Sequence, residues 1–232
     1  MKKPTTRKQK IRRSNVQARL IIFGTLAVLL ILFSIFSEYL TPYDPYFQDL
    51  SIAKSPPSAE HLLGTDRYGR DMLSRVMVGS RTSIFSTLLL VAVITTLGTA
   101  VGVFCGWRGG WLDTVLMRIS DMFLAFPGLV FALAVAGVLG GGLQNAIIAL
   151  AAISWPKYAR IARSQTLAQK ETVWMKAAKL SGSSTAKLIF KHILPNILGP
   201  ILVTSMLDIG TMMMELAALS FRRTGRVQER AR

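Results

Sequence analysis

Long stretches without any charged residue constrain the fold of this chain more than any other feature. Residues 20–37, 82–107 and 122–156 contain no Asp, Glu, Lys or Arg. A membrane-spanning helix needs roughly 20 mainly apolar residues. Only 17% of the chain is charged, whereas soluble domains average about 25%. The sequence therefore predicts an all-α integral membrane protein, folded as a polytopic helical bundle.

The third apolar stretch has 35 residues, counted from 122 to 156, and is too long for one span. Three consecutive glycines at residues 140–142 interrupt it, so we predict two helices joined by a tight turn. A further span over residues 196–221 brings the expected number of transmembrane helices to five. A cleaved signal peptide is the alternative for residues 20–37, but no A-x-A-like cleavage site follows them.

Basic residues are concentrated in two parts of the chain. Residues 1–20 hold eight Lys/Arg and no acid, and residues 157–192 hold eight Lys/Arg and one acid. Nucleic-acid binding is one interpretation of the net charge of +16. Both clusters flank apolar stretches, so membrane topology explains them more simply, and no nucleic-acid partner is expected. The N-terminus and residues 157–192 are then cytoplasmic, and residues 38–81 lie outside.

Small and acidic residues mark particular helix faces. Gly98, Gly102 and Gly106 recur every four residues, a spacing that lets a neighbouring helix approach closely. The alternative is that glycine is simply common in membrane helices. Asp208 and Glu215 lie seven residues apart in the last predicted span and therefore share a face. They either line a path through the membrane or make helix contacts.

A polar, basic segment at residues 171–196, ETVWMKAAKLSGSSTAKLIFKHILPN, separates two apolar stretches. Its pattern is helical, with a predicted stop and restart at residues 181–184, where glycine is flanked by serines. Two small residues, Ala177 and Ala178, allow another surface to come close to the backbone, as in a helix docked in a groove. An amphipathic loop lying on anionic lipid is the alternative. The apolar anchors expected here are Leu180, Leu188 and Ile189.

A second motif, HLLGTDRYGRDMLSRVMVGSRTS, occupies residues 61–83. Gly64 and Gly69 permit tight bends, and Asp71 and Arg75 have the spacing of a helical ion pair. We predict a folded connector that leads into the second span. Direct contact with a ligand is the alternative.

The two motifs resemble those of a known family. The order of KAA at residues 176–178, Gly182, and ILPN at residues 193–196 resembles the EAA loop of ABC importer permeases, although Lys176 stands where the motif's name has glutamate. Residues 61–83 resemble the outside segment of the second permease of oligopeptide, dipeptide and nickel uptake systems. Similar matches, at ISDMFLAFP (119–127) and ELAALSF (215–221), extend the resemblance over most of residues 60–221.

The resemblance implies that the chain forms a translocation path for peptides or nickel chelates with a second homologous permease. Two cytoplasmic ATPase subunits and an extracytoplasmic solute-binding protein are the other implied partners. ATP and Mg would bind to the ATPases, so neither a cofactor nor enzymatic activity is expected in this chain. The implied location is the bacterial cytoplasmic (inner) membrane, with several passes. The residues that the resemblance assigns to ATPase docking are Trp174, Lys176, Ala177, Ala178, Leu180 and Gly182.

Two other functions stay open from the residues alone. A membrane scaffold or anchor that transports nothing would have the same apolar stretches. A membrane enzyme would need converging polar residues within the spans, and the predicted spans contain few. The sequence also has no G-x-x-x-x-G-K-[ST] phosphate loop.

The expected organisation is a basic N-terminus (1–19), a first span (20–37), an outside connector (38–81) and a permease core (82–221) that includes a cytoplasmic loop (157–192). The composition changes after Phe221, since residues 222–232 hold five arginines and one acid. The family continues there with apolar sequence. We therefore expect a truncation or frameshift after Phe221, which would make this copy inactive in transport. A genuine short variant with a basic tail is the alternative.

Overall fold

A computed structural model describes residues 7–140 and 142–229, and the side chains of residues 17–140 and 142–219. Within these residues the only β feature is an isolated bridge between Thr65 and Asp71. The chain divides into two compact units, Met1–Ile84 and Phe85–Arg232. The helices are α1 (Arg7–Leu40), α2 (Met72–Arg108), α3 (Gly110–Ala125), α4 (Gly128–Val138), α5 (Leu143–Lys170), α6 (Val173–Leu180), α7 (Thr185–Lys187) and α8 (Leu194–Glu229).

Among the residues that the structure describes, three helical stretches are long and apolar enough to cross a bilayer, namely Gln17–Leu40, Met72–Arg108 and Thr185–Leu219. The pair α3 and α4 qualifies as a fourth only if it counts as one span with a bend of 93°. The all-α membrane fold is thus confirmed, but the expected five spans exceed this number. Two expected spans account for the difference. Helix α4 has 11 residues and qualifies only together with α3, and α5 has only 14 uncharged residues, 143–156, before Lys157. Both are shorter than the roughly 20 residues that a span requires.

Several helix ends differ from the expected boundaries. Helix α2 begins at Met72, ten residues before the predicted second span. The charged region between the second and third apolar stretches is largely helical, because α3 covers Gly110–Ala125. Helix α8 continues through the predicted boundary at Phe221 to Glu229, and residues 230–232 lie outside the described residues.

The predicted glycine turn lies between α4 and α5. Gly140 and Gly142 have φ angles of +84° and +103°, which glycine adopts most readily. Gly141 lies outside the described residues. The turn therefore forms where the three glycines interrupt the apolar stretch, and it lets α4 and α5 pack against each other.

The connector at residues 38–81 is folded, as its motif predicts. Gly69 has a φ of +73°, and a Cβ atom there would lie 1.6 Å from the carbonyl oxygen of Asp49. Asp66 accepts hydrogen bonds from the amides of Tyr68 (2.8 Å) and Arg70 (3.1 Å), and the Arg70 side chain also donates to it. Only glycine fits at position 69, and the Asp66 carboxylate fixes the turn around it.

A second carboxylate, that of Asp71, organises the start of α2. It is only 3% exposed. Its Oδ2 atom accepts from the amide of Ser74 at 2.7 Å, and its Oδ1 atom lies 3.0 Å from Nδ1 of His61. Burial opposes the ionisation of Asp71, but the hydrogen bonds from Ser74 and His61 outweigh it, so the pKa lies below its ordinary value. This carboxylate joins the connector to the first turn of α2.

Candidate functional site

The segment predicted to dock folds as two short helices between α5 and α8. A two-residue link, 171–172, separates α5 from α6. Gly182 follows α6 with a φ of +74°, a left-handed conformation that commonly ends a helix. The side chain of Ser184 then caps α7 by accepting from the amide of Lys187 at 3.4 Å. The predicted stop and restart at residues 181–184 is confirmed.

Helix α6 has a buried side and an exposed apolar side. Met175 is fully buried and anchors the helix to the core. Val173 is 84% exposed and Leu180 is 90% exposed, and Ala177 between them is also exposed. Positions i, i+4 and i+7 lie on one helix face. We call Val173, Ala177 and Leu180 the outer row of α6.

The other residues predicted to dock lie beside this row. Trp174 is 40% exposed, and its ring centroid lies 5.6 Å from that of His192. The ammonium group of Lys176 lies 3.1 Å from the carboxylate of Glu171, and both side chains are exposed. Ala178 is partly buried and packs against the core. These contacts hold α6 in one orientation and leave the outer row uncovered within the chain.

Two of the three expected apolar anchors face inward instead. Leu188 is only 2% exposed, and Ile189 packs partly buried against the core. They lie in the π-helical turn Leu188–Ile193 that joins α7 to α8, so the core takes up their apolar surface. Conversely, Val173 was not predicted. Its i, i+4, i+7 spacing with the other two members of the outer row is the sequence signal that identifies it.

Two arginines of α5 form ion pairs with α3. Arg163 donates to both carboxylate oxygens of Asp113, from Nε at 2.5 Å and from Nη2 at 2.6 Å. Arg160 pairs with Asp121 one turn closer to the N-terminal end of α5. Asp113 is only 7% exposed, whereas about half of the Arg160 side chain is exposed. The Arg163–Asp113 pair is therefore better shielded from solvent than the Arg160–Asp121 pair.

The two acids predicted on one face of the last span have different surroundings. Asp208 is 5% exposed and accepts from Nζ of Lys157 at 2.7 Å and from Oη of Tyr158 at 2.8 Å. This places Asp208 in a contact between α5 and α8. Glu215 is half-buried. A role of either acid in lining a path stays a prediction.

The three predicted packing glycines of α2 lie directly against α5. A Cβ atom at Gly98 would lie 2.5 Å from the carbonyl oxygen of Trp155. One at Gly102 would lie 2.3 Å from that of Ala159, and one at Gly106 would lie 2.8 Å from Cβ of Thr166. Backbone meets backbone over two turns, as the four-residue spacing predicts.

Comparison with known proteins identifies the family. Residues 98–225 match the family model described as the binding-protein-dependent transport system inner membrane component. The chain belongs to this family. The matched range contains α6, most of α8 and the glycine face of α2, which is formed by Gly98, Gly102 and Gly106. The packing of α2 on α5 and the outer row of α6 therefore both lie within the family domain.

Individual relatives agree with this assignment. The chain is 42% identical over 198 residues to a probable D,D-dipeptide transport system permease protein of Escherichia coli strain K12, covering 85% of this chain and 66% of the relative. It is 38% identical over 209 residues to a nickel transport system permease protein of the same strain, covering 90% and 74%. A glutathione transport system permease protein of Pectobacterium atrosepticum is 37% identical over 200 residues, covering 85% and 66%. The chain thus spans about two thirds of the length of these relatives, and the resemblance found in the sequence is confirmed.

Proposed function

We propose that this chain is the permease subunit of an ATP-driven importer and that the outer row of α6 docks into a groove of a cytoplasmic ATPase. One observation carries the proposal. Val173 and Leu180 are 84% and 90% exposed, on a helix whose Met175 is fully buried. Leaving large apolar side chains in water forgoes about 1.5–3 kcal/mol each, which a partner's groove would recover. Ala177 between them leaves room for that partner to approach the helix backbone.

Transport would follow from the way in which docking changes with the state of the ATPases. ATP and Mg bind to the two ATPase subunits, and this chain contributes no catalytic group of its own. A docked helix transmits a change only if its contacts differ in free energy between the two ATPase states. Helix α6 joins α5 through residues 171–172, so its displacement reaches the helices that form the translocation path.

The named relatives suggest the substrate class. They are described as permeases for dipeptides, glutathione and nickel. We extend this to peptides or nickel chelates for the present chain, delivered by an extracytoplasmic solute-binding protein. A second homologous permease would complete the path in a bacterial inner membrane, with the N-terminus in the cytoplasm.

The docking proposal is tested with substitutions in the outer row. Leu180→Asp and Ala177→Trp should each reduce co-purification of the ATPase about ten-fold or more, since each removes or obstructs apolar contact area. Ala186→Trp on α7 is the matched control, because it adds the same bulk at an exposed alanine outside the row. Membrane abundance should stay constant in all three variants. Undiminished ATPase binding by both outer-row variants would refute the docking site.

The proposed orientation has a separate test. Single reporter cysteines at Gln9 and Ser183 should react only from the cytoplasmic side, and one at Ser55 only from outside. The basic clusters motivate this arrangement. A reporter cysteine at Gly141, in the predicted turn between two spans, should also react only from outside; this residue lies outside the described residues. Labelling of Ser183 from outside would exclude any contact between α6 and a cytoplasmic ATPase.

A further inference from the structure

Trp107, in the last turn of α2, meets two lysines from different helices. Nζ of Lys179, in the last turn of α6, lies 4.9 Å from the centre of the indole ring. Nζ of Lys170, the last residue of α5, lies 5.8 Å from the same centre. An ammonium group within about 6 Å of an indole ring is attracted by the negative face of its π system. Trp107 is thus in contact with the ends of both α5 and α6.

Lys170 also binds the backbone at this end of α2. Its Nζ atom donates to the carbonyl oxygens of Gly106 at 3.1 Å and of Trp107 at 2.8 Å. The last carbonyls of a helix lack helical partners and carry partial negative charge, so a lysine there is stabilising. The lysine of α5 therefore fixes the position of Trp107, and the lysine of α6 contacts a ring that cannot easily move away.

Behind Trp107, α2 and α5 have no room to slide independently. Gly106 lies against Thr166, and Gly102 lies against Ala159, in both cases at distances that a Cβ atom would violate. A displacement passed to Trp107 therefore moves α2 together with α5. Helix α6, by contrast, has an uncovered outer row and follows α5 after the short link at residues 171–172.

The geometry points to Trp107 as a positioning residue that couples α6 to α2 through Lys179. This inference rests on the proposed function, because it assumes that an ATPase moves α6. The contact lies on the side of α6 away from the outer row, so it acts after docking and is not required for it. Loss of the indole ring or of the Lys179 charge should uncouple hydrolysis from the permease while the ATPase still binds.

The test uses the full chain co-expressed with the second permease and the ATPases of the same organism and assembled in nanodiscs. The variants are Trp107→Leu and Lys179→Gln, which remove the contact, and Trp107→Phe and Lys179→Arg, which keep an aromatic ring or a cation. Trp111→Leu is the matched control, since Trp111 is 72% exposed four residues later in the chain. The measurements are co-purification of the ATPase, and hydrolysis of Mg-ATP with and without the solute-binding protein.

We expect Trp107→Leu and Lys179→Gln to lower the stimulation by the solute-binding protein roughly three-fold, as for one partly exposed cation–π contact. ATPase co-purification should stay at the wild-type level. The conservative variants and Trp111→Leu should keep most of the stimulation. The double variant Trp107→Leu with Lys179→Gln should lose no more stimulation than Trp107→Leu alone, because the ring that Lys179 contacts is already absent there.

Three results would overturn the inference. They are unchanged stimulation in both disruptive variants, additive losses in the double variant, and a loss of ATPase binding or membrane abundance that accounts for the whole effect. The failure of the proposed function is distinguishable from these. In that case the wild-type chain itself would bind no ATPase, and both proposals would fall together.

Discussion

Arg163 and Asp113 form a two-fold hydrogen-bonded ion pair between α5 and α3, although 50 residues separate them in the chain. Parallel N–H···O bonds of this kind add directional specificity to charge attraction. The Asp113 side chain is 10% exposed and that of Arg163 is 34% exposed, so the pair is only partly screened by solvent. The pair fixes how α3 lies against α5 within the permease core.

Asp113→Asn should destabilise the core by about 2 kcal/mol, because it leaves the guanidinium group of Arg163 without its carboxylate in a shielded position. Asp121→Asn is the matched control. Its partner Arg160 is 51% exposed, and such pairs contribute less than about 1 kcal/mol. The measurement is the thermal unfolding midpoint of the purified chain in detergent. Equal midpoints for the two variants would contradict the difference in shielding.

Asp208→Asn should also destabilise the chain, since Lys157 and Tyr158 of α5 both donate to this carboxylate. We expect the free energy of unfolding to fall by about 2 kcal/mol. This is less than for a fully buried ion pair, because half of the Lys157 side chain is exposed. Adding Lys157→Met to this variant should restore part of the lost stability, because it removes the ammonium group that has lost its partner. Glu215→Gln should lower the free energy of unfolding less than Asp208→Asn does. A double variant less stable than Asp208→Asn alone would refute the ion-pair explanation.

Gly102→Ala should separate α2 from α5, because its methyl group would lie 2.3 Å from the carbonyl oxygen of Ala159. Overpacking of this kind typically costs about 1–3 kcal/mol. Gly137→Ala is the control in α4, where no atom lies within 4 Å of an added Cβ. It should be neutral or stabilising by up to about 1 kcal/mol through its higher helix propensity. The measurement is the thermal unfolding midpoint of each variant. A Gly102→Ala variant as stable as Gly137→Ala would exclude close packing between Gly102 and α5.

The connector at residues 38–81 should lose stability in acid. The pKa of Asp71 is lower in the folded connector than the ordinary value of 3.8, so its contribution is complete above about pH 5 and is lost as the pH falls through the folded pKa. Hydrogen exchange of residues 38–71 in nanodiscs should therefore show that Asp71→Asn loosens the connector at pH 7. The difference from wild type should shrink progressively as the pH falls below about 4. A difference that stays constant down to the most acidic pH measured would show that ionisation of Asp71 is not the cause.

The features that sequence alone predicted correctly are those with a local cause. Glycine between serines at residues 181–184 favours the end of a helix through its own backbone preference, and the four-residue spacing of Gly98, Gly102 and Gly106 places them on one face of a helix. Neither pattern identifies the neighbour. That the glycine face meets α5 depends on the path of the chain through α3 and α4.

The features that sequence did not predict depend on burial. Leu180 and Leu188 are equally apolar, yet one is 90% exposed and the other is 2% exposed. The difference arises because Leu180 is the last residue of α6, whereas Leu188 begins the π-helical turn that leads into α8 and packs in the core. Local sequence patterns also could not identify the partners of Arg163 and Asp208, since each partner lies about 50 residues away in the sequence.

The bend between α3 and α4 limits the surroundings that its backbone can have: water, protein or lipid. Phe126 is extended, and Pro127 has no amide hydrogen to donate, so the last carbonyls of α3 cannot find helical donors beyond Ala125. Acyl chains offer no donors either, and irregular backbone at bilayer depth persists only beside protein or trapped water. If the 93° elbow lies within the bilayer, it therefore marks a hydrated or protein-covered point, at which lipid tails are excluded.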